Sequence, residues 1–167
     1  MTLAGAIVDL DGTVYHDGEP IEGALEGIDR LQSLRDGVTF VSNNPAPNPA
    51  QYVDRLASIG IDTREERVLS AGVVTTERLV DEHAGDSVFV IGSDGLREQL
   101  QRAGIERCSD PQAADLLLAS WAPDFDYDDL VDALRVTERG VPFYGTDPDR
   151  TFPGADGRPV PGSGAIV

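Results

Sequence analysis

Lysine is missing from this chain: all thirteen of its basic residues are arginine. Against them stand thirty aspartates and glutamates, a formal net charge of −17. So acidic a polypeptide repels phosphodiester backbones and anionic lipid headgroups, which argues against nucleic acid and a membrane surface as partners. The acidic residues are spread along the chain rather than gathered in a tail. Distributed negative charge keeps a protein soluble but makes it repel itself unless salt screens the field. Together with the absence of lysine, this leads us to expect a cytoplasmic protein of a salt-rich cell. The single cysteine, Cys108, cannot form an internal disulfide and reads as a small, partly buried hydrophobe. No apolar run approaches the roughly 20 residues needed to cross a bilayer. The first residues also lack the basic segment and apolar run of a secretory signal. No internal repeat or low-complexity segment stands out. What remains is a chain of 167 residues, 40% hydrophobic, enough for one domain or two small ones.

The stretch that carries chemistry is Asp9-Leu10-Asp11-Gly12-Thr13. It follows Ala4-Gly5-Ala6-Ile7-Val8, a short apolar run without charge, which predicts a fully buried strand. Two carboxylates then stand at its C-terminal end, the end at which open α/β sheets bind ligands. Two like charges so close together need a cation or a hydrogen-bond network to compensate them. Hard oxygen ligands of this kind suit Mg²⁺, which one or two carboxylates and a substrate phosphate commonly hold. Asp-Gly is also ordinary turn chemistry, and Asp11 closing an Asx-turn is the alternative. A calcium loop is excluded by spacing: its required Gly and Glu positions, counted from Asp9, are Val14 and Pro20.

The rest of the chain alternates between the two periodicities. Asp17-Gly18-Glu19-Pro20 is a turn. Ala24, Leu25, Ile28, Leu31 and Leu34 share one helical face, with Gly37 as the expected C-terminal cap. Val38–Val41 predicts a second strand, ending at Ser42-Asn43-Asn44. About thirty residues separate the two strand ends, the size of one strand–helix–strand crossover. Such a crossover makes the strands parallel, so Ser42 and Asn43 should face the same crevice as Asp9 and Asp11. Asn48-Pro49 starts a helix with Tyr52, Val53, Leu56 and Ile59 as its apolar stripe. Val68-Leu69 is a short strand, and Ser70 opens a helix running to about His83, a residue placed to complement the helix dipole. His16 reads as a loop residue. From Gly85 onward a second α/β set follows: strand Ser87–Ile91, helix Leu96–Ala103, strand Asp115–Ser120, helix Tyr127–Arg139 capped by Asp126, and strand Val141–Tyr144. Thr151–Gly164 is rich in Pro and Gly. Ala165-Ile166-Val167 looks like the first turn of a helix, so we expect the natural chain to continue past Val167.

Asp9-Leu10-Asp11-Gly12-Thr13 followed by Ser42-Asn43-Asn44 resembles the first two motifs of the haloacid dehalogenase-like hydrolases. More narrowly, the chain resembles the branch of nitrophenyl-phosphatase, phosphoglycolate-phosphatase and ribonucleotide-phosphatase-like proteins. Val90-Ile91-Gly92, Gly145-Thr146-Asp147-Pro148-Asp149 and Pro161-Gly162-Ser163-Gly164 match further segments in the same order. The resemblance implies an α/β fold: a partial Rossmann-like parallel-sheet core over residues 1–84, then an α/β cap module over 85–167, with the C-terminal half of the core absent. It implies that Asp9 is the nucleophile toward a phosphomonoester, forming an aspartyl-phosphate. Asp11 is then the acid that protonates the leaving oxygen and the base that activates water. Ser42 and the amide of Asn43 hold the phosphoryl oxygens, and the Asp9 carboxylate and the main-chain carbonyl of Asp11 bind Mg²⁺. The implied substrate is a small phosphorylated metabolite: a sugar phosphate, phosphoglycolate, a nucleotide or pyridoxal phosphate.

Two parts of the family pattern have no match. The family uses a late lysine beside the nucleophile and a Gly-Asp strand end that completes the metal site; neither occurs here. Asp147 stands where relatives usually have Asn and adds negative charge near a route for anionic substrates. We therefore expect a Mg²⁺-dependent phosphatase complete only in a longer parent chain, with these 167 residues inactive alone. The alternative is a non-catalytic phosphate- or metal-binding module, or an inactive fragment. A receiver-type signalling domain also carries an Asp at a strand end, but it needs a later Lys and has no second module.

Overall fold

The computed structural model describes residues 3–154 and 156–167. They divide into two compact units. Residues up to Asn43 together with Pro49–Ser70 form the first; Asn44–Asn48 together with Ala71–Val167 form the second.

In the first unit, β1 (Ala6–Asp9) leads into a tight turn and a short antiparallel ribbon of β2 (Tyr15–His16) and β3 (Glu19–Pro20). Helix α1 (Ala24–Gln32), β4 (Val38–Ser42), α2 (Pro49–Ser58) and β5 (Val68–Ser70) complete it. The strands lie parallel in the order β1-β4-β5, with Asp9 opposite Val41 and Ser42 opposite Ser70. Val38 and Phe40 of β4 and Val68 of β5 pack with Ile28 of α1 and with Tyr52 and Leu56 of α2. Leu56 is fully buried, and removing such a side chain from water contributes about 1.5–3 kcal/mol. Helix α1 stops at Gln32 with Ser33 as its cap, so Gly37 does not cap it; its left-handed φ of 66° turns the chain into β4 instead.

The expectation of a fully buried first strand is not met. Only Ala6 and Val8 face the core, while Ile7 is 76% exposed and Leu69 on β5 is 40% exposed. The reason is position: β1 is the edge strand among the described residues, and the packed side chains of α1 and α2 lie on the Ala6, Val8 and Phe40 face.

The second unit contains α3 (Ala71–Glu82), β6 (Ser87–Ile91), α4 (Asp94–Arg102), β7 (Glu106–Cys108), β8 (Leu116–Ala119), α5 (Tyr127–Thr137) and β9 (Phe143–Gly145). Its four strands are parallel in the order β7-β6-β8-β9. Leu79, Val88, Leu96, Leu100, Leu116 and Leu118 form one core. Phe89, Ile91, Leu117, Ala119 and Val136 form another on the opposite face. Ser93 caps α4 by accepting from the Leu96 amide, and Asp126 with Asp129 forms a capping box at α5.

The expected division after residue 84 differs from the observed one, because α3 belongs to the second unit. Leu79 packs with Val88 and Leu100, and the Gln99 amide donates to Thr76 Oγ1 at 2.9 Å. Strand β7 and a ribbon of β10 (Thr151–Pro153) and β11 (Pro159–Pro161) were not legible as periodic runs. The expected helical turn at Ala165–Val167 is a 3₁₀ turn over Ser163–Ala165. It is set by close approach of main chains: the Gly164 amide donates to the Asp149 carbonyl, and a Cβ at Gly164 would run into the Pro148 carbonyl. Asp147 closes the turn before it, accepting from the Asp149 amide at 2.9 Å. Among the described residues, no helix is long and apolar enough to cross a membrane.

Candidate functional site

The turn after β1 is built by one carbonyl. The amides of Thr13, Val14 and Tyr15 converge on the Leu10 carbonyl at 3.2, 2.9 and 3.4 Å, and the Gly12 amide bonds the Tyr15 carbonyl at 2.9 Å. Gly12 has φ 78°, a conformation that favours glycine. Leu10 and Val14 are buried beneath the turn. The two residues between which the chain must reverse are therefore anchored inward, and Asp9 and Asp11 are left at the strand end.

Of the four candidate residues, Asp11 and Ser42 are in direct contact. Ser42 Oγ donates to Asp11 Oδ2 at 3.2 Å, and the Tyr52 hydroxyl lies 3.0 Å from the same Oγ. Asp9 stands one pleat earlier and accepts from Thr13 Oγ1 at 3.3 Å through its Oδ2. Asn43 follows Ser42 at the end of β4, exposed to solvent. Parallel pairing of β1 with β4 thus brings both motifs to one sheet edge.

Partial burial raises the Asp11 pKa above the ordinary carboxylate value; the Ser42 hydrogen bond and the Arg55 charge oppose it, and the Asp9 charge adds to it. Burial likewise pushes the Tyr52 phenol well up, against the pull of its Ser42 hydrogen bond, so it stays a hydroxyl donor. The Tyr15 pKa is also raised, by burial and then by the charge of Asp11. Its buried hydroxyl has no hydrogen-bond partner among the described residues. The Arg55 guanidinium stands 5.7 Å from the Tyr15 ring centre and 5.9 Å from that of Tyr52.

A hard divalent cation needs oxygen donors. Among the described residues no cluster of three or more His, Cys, Asp and Glu could cage one. The Asp9 carboxylate, which takes the Thr13 hydrogen bond on Oδ2, and the Asp11 main-chain carbonyl offer two hard oxygen donors. That donor set fits an ion held by one or two carboxylates and completed by substrate phosphate.

Tyr15, Tyr52 and Arg55 were invisible as site residues in the sequence. Tyr52 reads there as one apolar position in the stripe of α2. The signal that could have found it is its hydroxyl, since a buried tyrosine usually finds a polar partner. Neither histidine joins the site residues. His16 is exposed on β2, and His83 lies 2.8 Å from both Asp86 Oδ2 and the Tyr144 hydroxyl in the second unit.

The family model described as haloacid dehalogenase-like hydrolase matches residues 6–106. Sugar-phosphatase AraL of Bacillus subtilis is 34% identical over 98% of this chain and 60% of its own length. An acid sugar phosphatase of Staphylococcus haemolyticus is 31% identical over 98% of this chain and 61% of its own. The solved p-nitrophenyl phosphatase of Archaeoglobus fulgidus superposes with a TM-score of 0.91 at 34% identity, covering 98% of this chain and 62% of that one. The chain thus spans about three fifths of the length of the relatives it matches. With two parallel α/β units, the paired carboxylates after the first strand and the hydroxyl at the end of the next, this chain belongs to the haloacid dehalogenase-like hydrolases.

Proposed function

We propose that this chain is the N-terminal part of a phosphomonoester hydrolase that acts through an aspartyl-phosphate on a small phosphorylated metabolite. The observation that carries the reading is the pair Asp9 and Asp11 at one strand end with Ser42 in contact with Asp11. In this reading an Asp9 oxygen attacks phosphorus as the bond from phosphorus to the leaving oxygen breaks. Asp11 gives its proton to that oxygen. Water then attacks phosphorus, Asp11 takes the water proton, and Asp9 is released with inorganic phosphate. Ser42 and the amide of Asn43 hold the phosphoryl oxygens. The Asp9 carboxylate and the main-chain carbonyl of Asp11 would hold Mg²⁺, which when bound neutralises charge on the transferring group. The remaining chemistry is positioning, which phosphoryl transfer chiefly requires. Relatives that act on sugar phosphates support a phosphorylated sugar as substrate.

The open face around Ile7 and Leu69 supports a longer parent chain whose further strands and helices cover it. The acidic composition supports a salt-rich cytoplasm as its setting. Residues 85–167 serve as the cap in this reading. A second reading rests on two observations: the chain contains no lysine, and no third carboxylate joins Asp9 and Asp11 among the described residues. It is a module that binds phosphate or metal without turnover.

The test is hydrolysis of 4-nitrophenyl phosphate by the natural full-length protein with and without Mg²⁺. Activity that needs Mg²⁺ and falls by roughly 10³-fold or more in Asp9→Asn supports the enzyme. Phosphate or Mg²⁺ binding without hydrolysis selects the second reading. The intact mass of the native polypeptide, compared with 17.8 kDa, tests the longer parent directly.

A further inference from the structure

Three hydroxyl and carboxyl groups under the turn after β1 form a chain whose direction is fixed by proton count. Ser42 has one hydroxyl proton. Asp11 Oδ2 accepts that proton at 3.2 Å, both in the carboxylate and in the acid that carries its own proton on Oδ1. The Tyr52 hydroxyl, 3.0 Å from Ser42 Oγ, must then be the donor in its contact. The order of donation is Tyr52 to Ser42 to Asp11.

The far end of this chain is held rigidly. Tyr52 is 0% exposed and packs in the core with Phe40 and Leu56. The Arg55 guanidinium stands over its ring at 5.9 Å. A serine hydroxyl by itself rotates freely about its Cβ–Oγ bond. A donor fixed on one side of Oγ leaves its proton pointing to the other, toward Asp11. The phenol has a desolvation cost that phenylalanine would not have at this site, and its bond to Ser42 offsets that cost.

We propose that Tyr52 is a positioning residue for Asp11. Acting through Ser42, it pins Oδ2 of the carboxyl as an acceptor and leaves Oδ1 as the oxygen that exchanges the proton with the leaving group and with water. The inference rests on the phosphatase reading and goes beyond it, since it assigns a part to a helix residue outside both motifs.

A role in proton delivery has a signature that a packing role lacks. A sugar alkoxide needs a proton to depart, whereas 4-nitrophenolate departs without one. The experiment compares kcat/KM of wild type and Tyr52→Phe on a hexose 6-phosphate and on 4-nitrophenyl phosphate, with Mg²⁺ and the full-length protein. This parameter reports steps up to the first phosphoryl transfer. We expect Tyr52→Phe to lose roughly tenfold on the sugar phosphate, a fraction of what a general acid contributes, and less than about twofold on the nitrophenyl ester. The ratio of the two constants does not depend on how much of the variant is folded, so a partial folding defect leaves the result intact. In the Ser42→Ala background, Tyr52→Phe should leave that ratio unchanged, because the connection to Asp11 is already cut. Equal losses on both substrates, or no loss on either, overturn the positioning role while the phosphatase reading stands. A wild-type protein that hydrolyses neither substrate overturns both.

Discussion

Strands β1 and β8 look alike in sequence and differ in the folded chain. Ala6-Ile7-Val8 and Leu116-Leu117-Leu118-Ala119 are both uncharged aliphatic runs in parallel sheets. Every residue of β8 is buried, whereas β1 alternates between half-buried and exposed. The difference lies in neighbours. β8 has β6 and β9 beside it, one core containing Leu116 and Leu118, and another containing Leu117 and Ala119. β1 has β4 on one side only and a core on one face. The second unit is therefore a three-layer arrangement closed on both faces, and the first is half of one. The half-open unit is also the one that carries Asp9, Asp11 and Ser42. An apolar edge of this kind is a template for pairing with another strand.

The largest effect expected in this comparison is on the closed sheet. Leu118→Ala removes a fully buried side chain at its centre and should cost about 2–5 kcal/mol, read as a lower urea midpoint. Loss of the α5 capping box comes next. Asp126 accepts from the Asp128 and Asp129 amides, so Asp126→Ala should cost about 1 kcal/mol by the same measurement. In the 167-residue chain, Ile7→Thr on the open sheet should change stability by no more than about 0.5 kcal/mol. A cost near that of Leu118→Ala would mean that the Ile7 face is covered in solution, and the contrast between the units would fail.

The smallest effect concerns an exposed ion pair of α3. Arg78 Nε donates to Glu82 Oε2 at 3.0 Å, and this bond lowers the Glu82 pKa from its ordinary value. A depressed carboxyl pKa stabilises the fold above the unfolded value, and that contribution is lost as pH falls through the lower, folded one. Arg78→Ala should therefore give a slightly lower melting temperature at neutral pH and the wild-type value in acid. A difference that persists or grows in acid would assign the effect to the Arg78 guanidinium over the Tyr144 ring, 5.5 Å away, rather than to its bond with Glu82.

Both sequence motifs were legible because their chemistry is local. Asp9 and Asp11 are two residues apart, and a charged pair after an aliphatic run announces a strand end whatever surrounds it. The helix α5 was legible for the same reason, since Asp126 stands three residues before Asp129 and both bonds are made within one turn. Tyr52 was not legible as a partner of Ser42. Its position in a helical stripe accounts for the ring, and only the packing of α2 shows where the hydroxyl ends. Nor was the packing of α3 with the second sheet legible, because α3 has the periodicity of any amphipathic helix, which does not say which sheet it covers.

The sequence by itself determined the α/β alternation, the parallel direction of β1 and β4, and the meeting of Asp9, Asp11, Ser42 and Asn43 at one sheet edge. These follow from the period of the side chains and from the length of a crossover, which are properties of the local chain. Only the tertiary structure decided that β1 is a half-open edge, that α3 packs with Val88 and Leu100, and that a tyrosine from α2 holds the serine beside Asp11. Those depend on which surfaces are left to bury once each element has formed, and burial is a property of neighbours distant in sequence.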